Sequence, residues 1–215
     1  MSAPSFANLD GVSAVRDLVA AVVAHRQQLS DIDGAIGDGD HGINMAKGFG
    51  FAGTELDKAP ADLARGLLTV SRVLMSSIGG AMGPLYGTLF RGMGRACQGA
   101  ERIDAAVFRG MLDGALVSVR TVSEARVGDK TLMDALVPAV AAYGAALDAG
   151  RGFAEALGAM AEAAERGRDS TKDLVAKVGR ASRLGERSRG SLDAGATSCA
   201  LILRTLAGSV TSLLA

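Results

Sequence analysis

The stretch Phe153-Ala-Glu-Ala-Leu157-Gly-Ala-Met160-Ala-Glu-Ala-Ala-Glu-Arg-Gly-Arg168 sets its apolar residues three and four apart, with charges between them. That spacing draws one apolar stripe along a helix and leaves the other face charged. The same rhythm recurs at Val12, Val15, Val19 and Val22, and no alternating strand pattern competes with it. Helices are predicted over 11–29, 41–55, 60–77, 84–99, 104–124, 131–149, 151–168 and 195–213. Pro60 and Pro84 stand at helix starts, where a missing N–H costs little, and Asp104 is placed to cap a helix. Pro138 lies inside the sixth helix and predicts a kink there. The last helix is apolar on almost every side, so it is expected to be central and buried. Short connections favour antiparallel neighbours, and 29 glycines allow close approach. The expected fold is an all-α bundle or closed barrel of eight antiparallel helices.

The 215 residues suit one compact domain over 1–215, and 48% hydrophobic content is too high for a disordered chain. Lys and Arg total 23 against 23 Asp and Glu, with no basic cluster, which excludes an electrostatic claim on nucleic acid. The start, Met1 to Asp10, has neither a basic nor an apolar leader region, so a cytoplasmic location is expected. The apolar run Cys199 to Leu203 stops at Arg204, far short of the ~20 residues of a membrane span. No membrane association is expected. Cys97 and Cys199 lack ligand spacing and read as free buried thiols.

Three stretches, 30–44, 77–88 and 169–195, are too glycine-rich or too polar for packing alone. The first reads Asp31-Ile-Asp33-Gly-Ala-Ile-Gly37-Asp38-Gly39-Asp40-His41-Gly42-Ile43-Asn44. Its glycines let the carboxylates of Asp33, Asp38 and Asp40 converge, and such crowding raises their pKa or demands a cation. Hard oxygen ligands point to Mg²⁺, whereas an EF-hand would need a glutamate at the twelfth loop position. An exposed acidic turn that caps the next helix is the plainer alternative. The second stretch, Ile78-Gly-Gly80-Ala81-Met82-Gly-Pro84-Leu-Tyr86-Gly-Thr88, can offer backbone amides to phosphate, or simply join two helices. The third carries Arg180, Arg183, Arg187 and Arg189 among glycines. It reads either as a solvated basic loop or as a lid whose guanidinium groups reach phosphate oxygens.

On these residues, together with Gly128-Asp-Lys130-Thr131 and Asp193-Ala194-Gly195-Ala196, the sequence resembles the ADP-binding L subunit of dihydroxyacetone kinase over nearly its whole length. The resemblance implies a helical barrel with a nucleotide site at one end. It implies that Asp33, Asp38 and Asp40 hold two Mg²⁺ ions bridging the phosphates of ADP or ATP. His41, Gly42, Ile43 and Asn44 would line the same pocket, and Gly80, Ala81 and Met82 would meet phosphate. Leu132 would pack on the adenine, while Arg180 with Asp193, Ala194 and Gly195 would close a lid within 169–195. The chain would supply no nucleophile of its own. The implied partners are a K subunit that holds dihydroxyacetone or a similar short ketose and, if ADP is kept as a cofactor, a phosphotransferase-system donor protein.

The chain departs from that pattern at five positions. Met82 stands where relatives carry Ser, Ser191 and Ala194 replace His and Pro of the lid pattern, and Arg183 takes an often aromatic position. Ser123 stands where a relative has Gly near the adenine. These changes fit a kinase subunit for another sugar. They also leave room for a non-catalytic nucleotide-binding regulator.

Overall fold

The computed structural model describes residues 4–214. Its α-helices are α1 (Val12–Ala24), α2 (Arg26–Gly34), α3 (His41–Leu56), α4 (Leu63–Ser77), α5 (Met82–Ala96), α6 (Ala105–Arg120), α7 (Met133–Asp148), α8 (Phe153–Ser170) and α9 (Ala194–Leu213). Each packs on its neighbours in sequence, and α9 closes the ring against α1. The first expected helix, 11–29, is broken at His25 and extends to Gly34. Bonds from His25 N to Ala21 O and from Leu29 N to His25 O carry the ladder across the break, so α1 and α2 form one bent rod. Counted this way, eight antiparallel rods make the barrel.

Chain ends and helix starts follow local chemistry. Asp104 caps α6 as expected, its carboxylate accepting from Val107 N at 2.8 Å. The fourth helix begins later than Pro60 because Asp62 supplies the cap, accepting from Arg65 N at 2.7 Å. Helix α5 begins earlier than Pro84, which sits in its first turn where no ladder bond is lost. Pro138 lies within α7, which continues past it as one element. A strand pair that the periodicity did not predict, β1 (Ser5–Ala7) with β2 (Arg102–Asp104), runs antiparallel in the register Phe6 to Ile103. At that end buried Asn8 donates to the carbonyls of Cys97 and Ala100 and accepts from Ala64 N, tying β1 to α4 and α5.

Helix α9 packs against α1, α2, α7 and α8, and twelve of its twenty residues are buried. By length and composition it could cross a bilayer, but this burial is what a core helix requires. Cys97 and Cys199 are buried and free.

Close approach depends on glycine at a few crossings. A methyl group on Gly167 of α8 would overlap the backbone carbonyl of Asp134, whereas one on Gly158, exposed on the same helix, would meet nothing. Gly167→Ala is therefore expected to lower unfolding free energy by about 1–3 kcal/mol. Gly158→Ala is expected to raise it by about 0.5–1 kcal/mol. Urea unfolding of the two variants checks the pair, and shifts of the same sign would contradict the packing described.

Candidate functional site

The antiparallel course of the barrel brings the N-termini of α3, α5, α7 and α9 to one end, together with the C-terminus of α2. Side chains tie these ends together. His41, the first residue of α3, is buried, and its Nε2 lies 2.8 Å from Ser198 Oγ of α9. Ser198 Oγ lies 2.5 Å from Tyr86 Oη of α5, which also donates to Gly195 O at 3.0 Å. Leu132, buried at the start of α7, lies against Gly195: a methyl group there would stand 3.3 Å from Leu132 N. Four helix starts bring the positive ends of four dipoles to this end, an arrangement that favours an anion.

The acidic turn occupies the rim of this end. Asp33 sits in the last turn of α2 rather than in a loop, because α2 runs on to Gly34. Gly39, at φ 76°, turns the chain so that Asp38 and Asp40 come back beside it. Ligand oxygens of Asp33, Asp38 and Asp40 lie within 4.8 Å of one another. Asp33 also accepts from His41 N at 3.3 Å. A methyl group on Gly42 would overlap the carbonyl of Arg26, so only glycine lets α3 start this close to α2. Ile43 is exposed and Asn44 half-buried on the first turn of α3.

Arg180 comes to two of these carboxylates from the far end of the sequence. It begins a 3₁₀ segment, Arg180–Ser188, within the long connection between α8 and α9. Its guanidinium pairs with Asp38 and lies 3.7 Å from Asp40. Three hard-oxygen ligands, clustered and drawing in a cationic group, have the donor chemistry that a divalent cation needs. The fit to Mg²⁺ therefore holds on these residues.

The glycine loop, which joins α4 to α5, lies at the same end of the barrel. Gly80 has φ 67°, and Ala81 occupies the N-cap position of α5 without a capping side chain. Among the described residues, the amides of Ala81 and Met82 donate to no backbone carbonyl. The Met82 side chain packs against the core, so this loop presents backbone and not side chain. Asp193 caps α9, accepting from Ala196 N at 2.7 Å, and Ala194 is buried behind it. Desolvation pushes the Asp193 carboxyl up to about 7, against the pull of its bond from Ala196 and of Lys130. A groove of about 410 Å³ lies elsewhere, along α4 and α5 under Arg72, Arg91 and Arg95. It holds no carboxylate or histidine and is not the cation site.

Sequence reasoning missed Ser198, Tyr86 as a hydrogen-bonding partner, and the turn around Lys130. Asp134 builds that turn, its carboxylate accepting from Gly128 N at 2.6 Å and Thr131 N at 2.7 Å. The Gly128-Asp129-Lys130-Thr131 motif was the available signal for it; Ser198 carries none, being one small polar residue in an apolar helix.

The chain is thus an all-α barrel with a carboxylate cluster and four helix starts at one end. The sequence then places it among relatives: residues 35–208 match the DAK2 domain model, and the chain belongs to that family. It is 40% identical over 197 residues to the PEP-dependent dihydroxyacetone kinase 1 ADP-binding subunit DhaL of Listeria innocua, covering 89% of this chain and 91% of that one. It is 35% identical over 207 residues to the L-erythrulose kinase of Pectobacterium atrosepticum, covering 94% of this chain but 34% of that enzyme. The fold is shared with the crystal structure of the C. freundii dihydroxyacetone kinase in complex with AMP-PNP and Mg²⁺, at TM-score 0.68 and 24% identity. That match covers 97% of this chain and 35% of that kinase.

Burial holds the His41 imidazole down to about 4, with Asp33 opposing the shift. A depressed value means that the unfolded chain binds the proton first as pH falls. The stability His41 contributes is thus present above pH about 6.5 and lost toward about 4. Denaturant unfolding between pH 7 and 5 should cost the wild type more stability than His41→Gln. Equal losses would contradict a neutral, buried His41.

Proposed function

We propose that this chain is the nucleotide-binding subunit of a dihydroxyacetone-type kinase, which carries ADP and moves a phosphoryl group to a short ketose held by a partner K subunit. The observation that carries the reading is the convergence of Asp33, Asp38 and Asp40 beside four helix N-termini. Adenine would lie on Leu132, and the diphosphate would extend over the amides of Gly80, Ala81 and Met82. His41, Gly42, Ile43 and Asn44 would line the same pocket. Two Mg²⁺ ions held by the three aspartates would neutralise charge that develops during phosphoryl transfer.

Arg180 has two places to go in this scheme. In the structure it pairs with Asp38 and Asp40; with nucleotide and cation bound, it would turn to the phosphate oxygens, whose geometry suits guanidinium. The segment from Arg180 to Gly195 then acts as a lid that excludes water and limits hydrolysis. The phosphoryl group passes to a ketose hydroxyl oxygen, ADP is left in place, and the hydroxyl proton passes to a base of the K subunit. The name of the Listeria innocua relative, a PEP-dependent enzyme with an ADP-binding subunit, supports retained ADP that a phosphotransferase-system protein recharges. The erythrulose kinase supports a sugar other than dihydroxyacetone as the alternative substrate.

A non-catalytic nucleotide-binding regulatory subunit is the second reading, which Met82 and the altered lid residues favour. Phosphate transfer to short ketoses with purified K subunit separates the two. Calorimetry with ADP tests the site itself. Magnesium is expected to tighten ADP at least tenfold, about 1.4 kcal/mol, and Asp38→Ala to remove that gain. ADP binding indifferent to magnesium in the wild type would overturn the proposal.

A further inference from the structure

Lys130 has no part in the scheme above, yet it is 2% exposed. Lysine is almost never so buried unless its charge is met. Among the described residues it forms no ion pair, although Asp193 and Asp134 stand near enough to favour its charge. Lys130 Nζ donates to three main-chain carbonyls: Thr171 at 2.6 Å, Ser191 at 2.6 Å and Leu174 at 3.3 Å. An ammonium has three N–H donors and no acceptor, so the three carbonyls satisfy it in full.

The acceptors are not scattered. Thr171 and Leu174 begin the connection from α8 to α9, and Ser191 stands near its end. Two further bonds close the same neck: Gly190 N donates to Lys172 O at 2.7 Å, and Asp193 N to Thr171 Oγ1 at 3.0 Å. Arg189 also reaches across to the carbonyl of Asp173. The backbone of Lys130 is itself held at φ 63°, a left-handed conformation that residues with a side chain rarely adopt. Asp134 fixes that turn from both sides, through Gly128 N and Thr131 N. A strained backbone and a buried cation are thus both maintained to put one ammonium at the root of the segment that carries Arg180 and Asp193.

We propose that Lys130 is a positioning residue, whose ammonium pins both ends of the 171–193 lid to the start of α7 and so sets Arg180 and Asp193 to Gly195 against the nucleotide. The role in binding rests on the nucleotide reading above; the pin itself does not. The main-chain carbonyls left by a shortened side chain form a cage that a small N–H cation can enter.

Hydrogen exchange and calorimetry on Lys130→Met and Lys130→Ala test this. Lys130→Met keeps the length of the stem and serves if the alanine variant does not fold. Without nucleotide, amides within 172–192 are expected to exchange at least tenfold faster in either variant, while those of Cys199 to Leu203 in α9 stay protected. The Kd for ADP with magnesium is expected to rise about tenfold. Methylammonium chloride should restore slow exchange and ADP affinity to Lys130→Ala, whereas tetramethylammonium chloride, which has charge but no N–H, should not. Wild-type exchange rates across 172–192 in the variants, or equal effects of the two salts, would overturn the pin. A wild type that binds no ADP would sink the nucleotide reading alone, since the exchange pattern would still report the pin.

Discussion

Three carboxylates whose oxygens lie within 4.8 Å of one another repel while ionised, and a positive charge among them relieves that repulsion. Arg180 supplies it in this fold, and much else follows from the need to bring it there. The aspartates belong to the α2–α3 corner, while Arg180 lies more than 130 residues further on, in the connection between α8 and α9. Closure of the barrel through α9 against α1 is what makes the two ends of the sequence neighbours.

The same closure accounts for the anionic preference of this end. Alternate rods of an up-and-down ring point the same way, so four helix starts gather without any one of them carrying a special motif. Connections between them are polar and direct: His41 to Ser198, Ser198 to Tyr86, and Tyr86 to Gly195. His41 sits between the two systems, with its backbone N–H on Asp33 and its ring on α9, and burial keeps that ring neutral. A neutral imidazole adds no positive charge of its own, which leaves the balance at the rim to Arg180.

The rods were legible because their apolar residues repeat with the helical period, as in Phe153, Leu157 and Met160, all of them buried. The break at His25 was not, since helical hydrogen bonds continue on both sides of it. Strands of three residues, Ser5–Ala7 and Arg102–Asp104, are too short for alternation to show. The acidic turn could be found from sequence because crowded aspartates among glycines are chemically costly. Its placement was less exact, with Asp33 on the end of a helix and not in a loop. Lys130 and Ser198 act through partners that leave no mark in local sequence: main-chain carbonyls of Thr171, Leu174 and Ser191, and a histidine 157 residues away. Long-range contacts of this kind become visible only when the ring is closed.

The most direct measurement is a crystal structure of the protein grown with ADP and magnesium. The account predicts metal density at about 2.1 Å from oxygens of Asp33, Asp38 and Asp40, with the diphosphate on the same ions and the Arg180 guanidinium moved from Asp38 to phosphate. Nucleotide density with no ion at those carboxylates, and Arg180 still paired with Asp38, would contradict it.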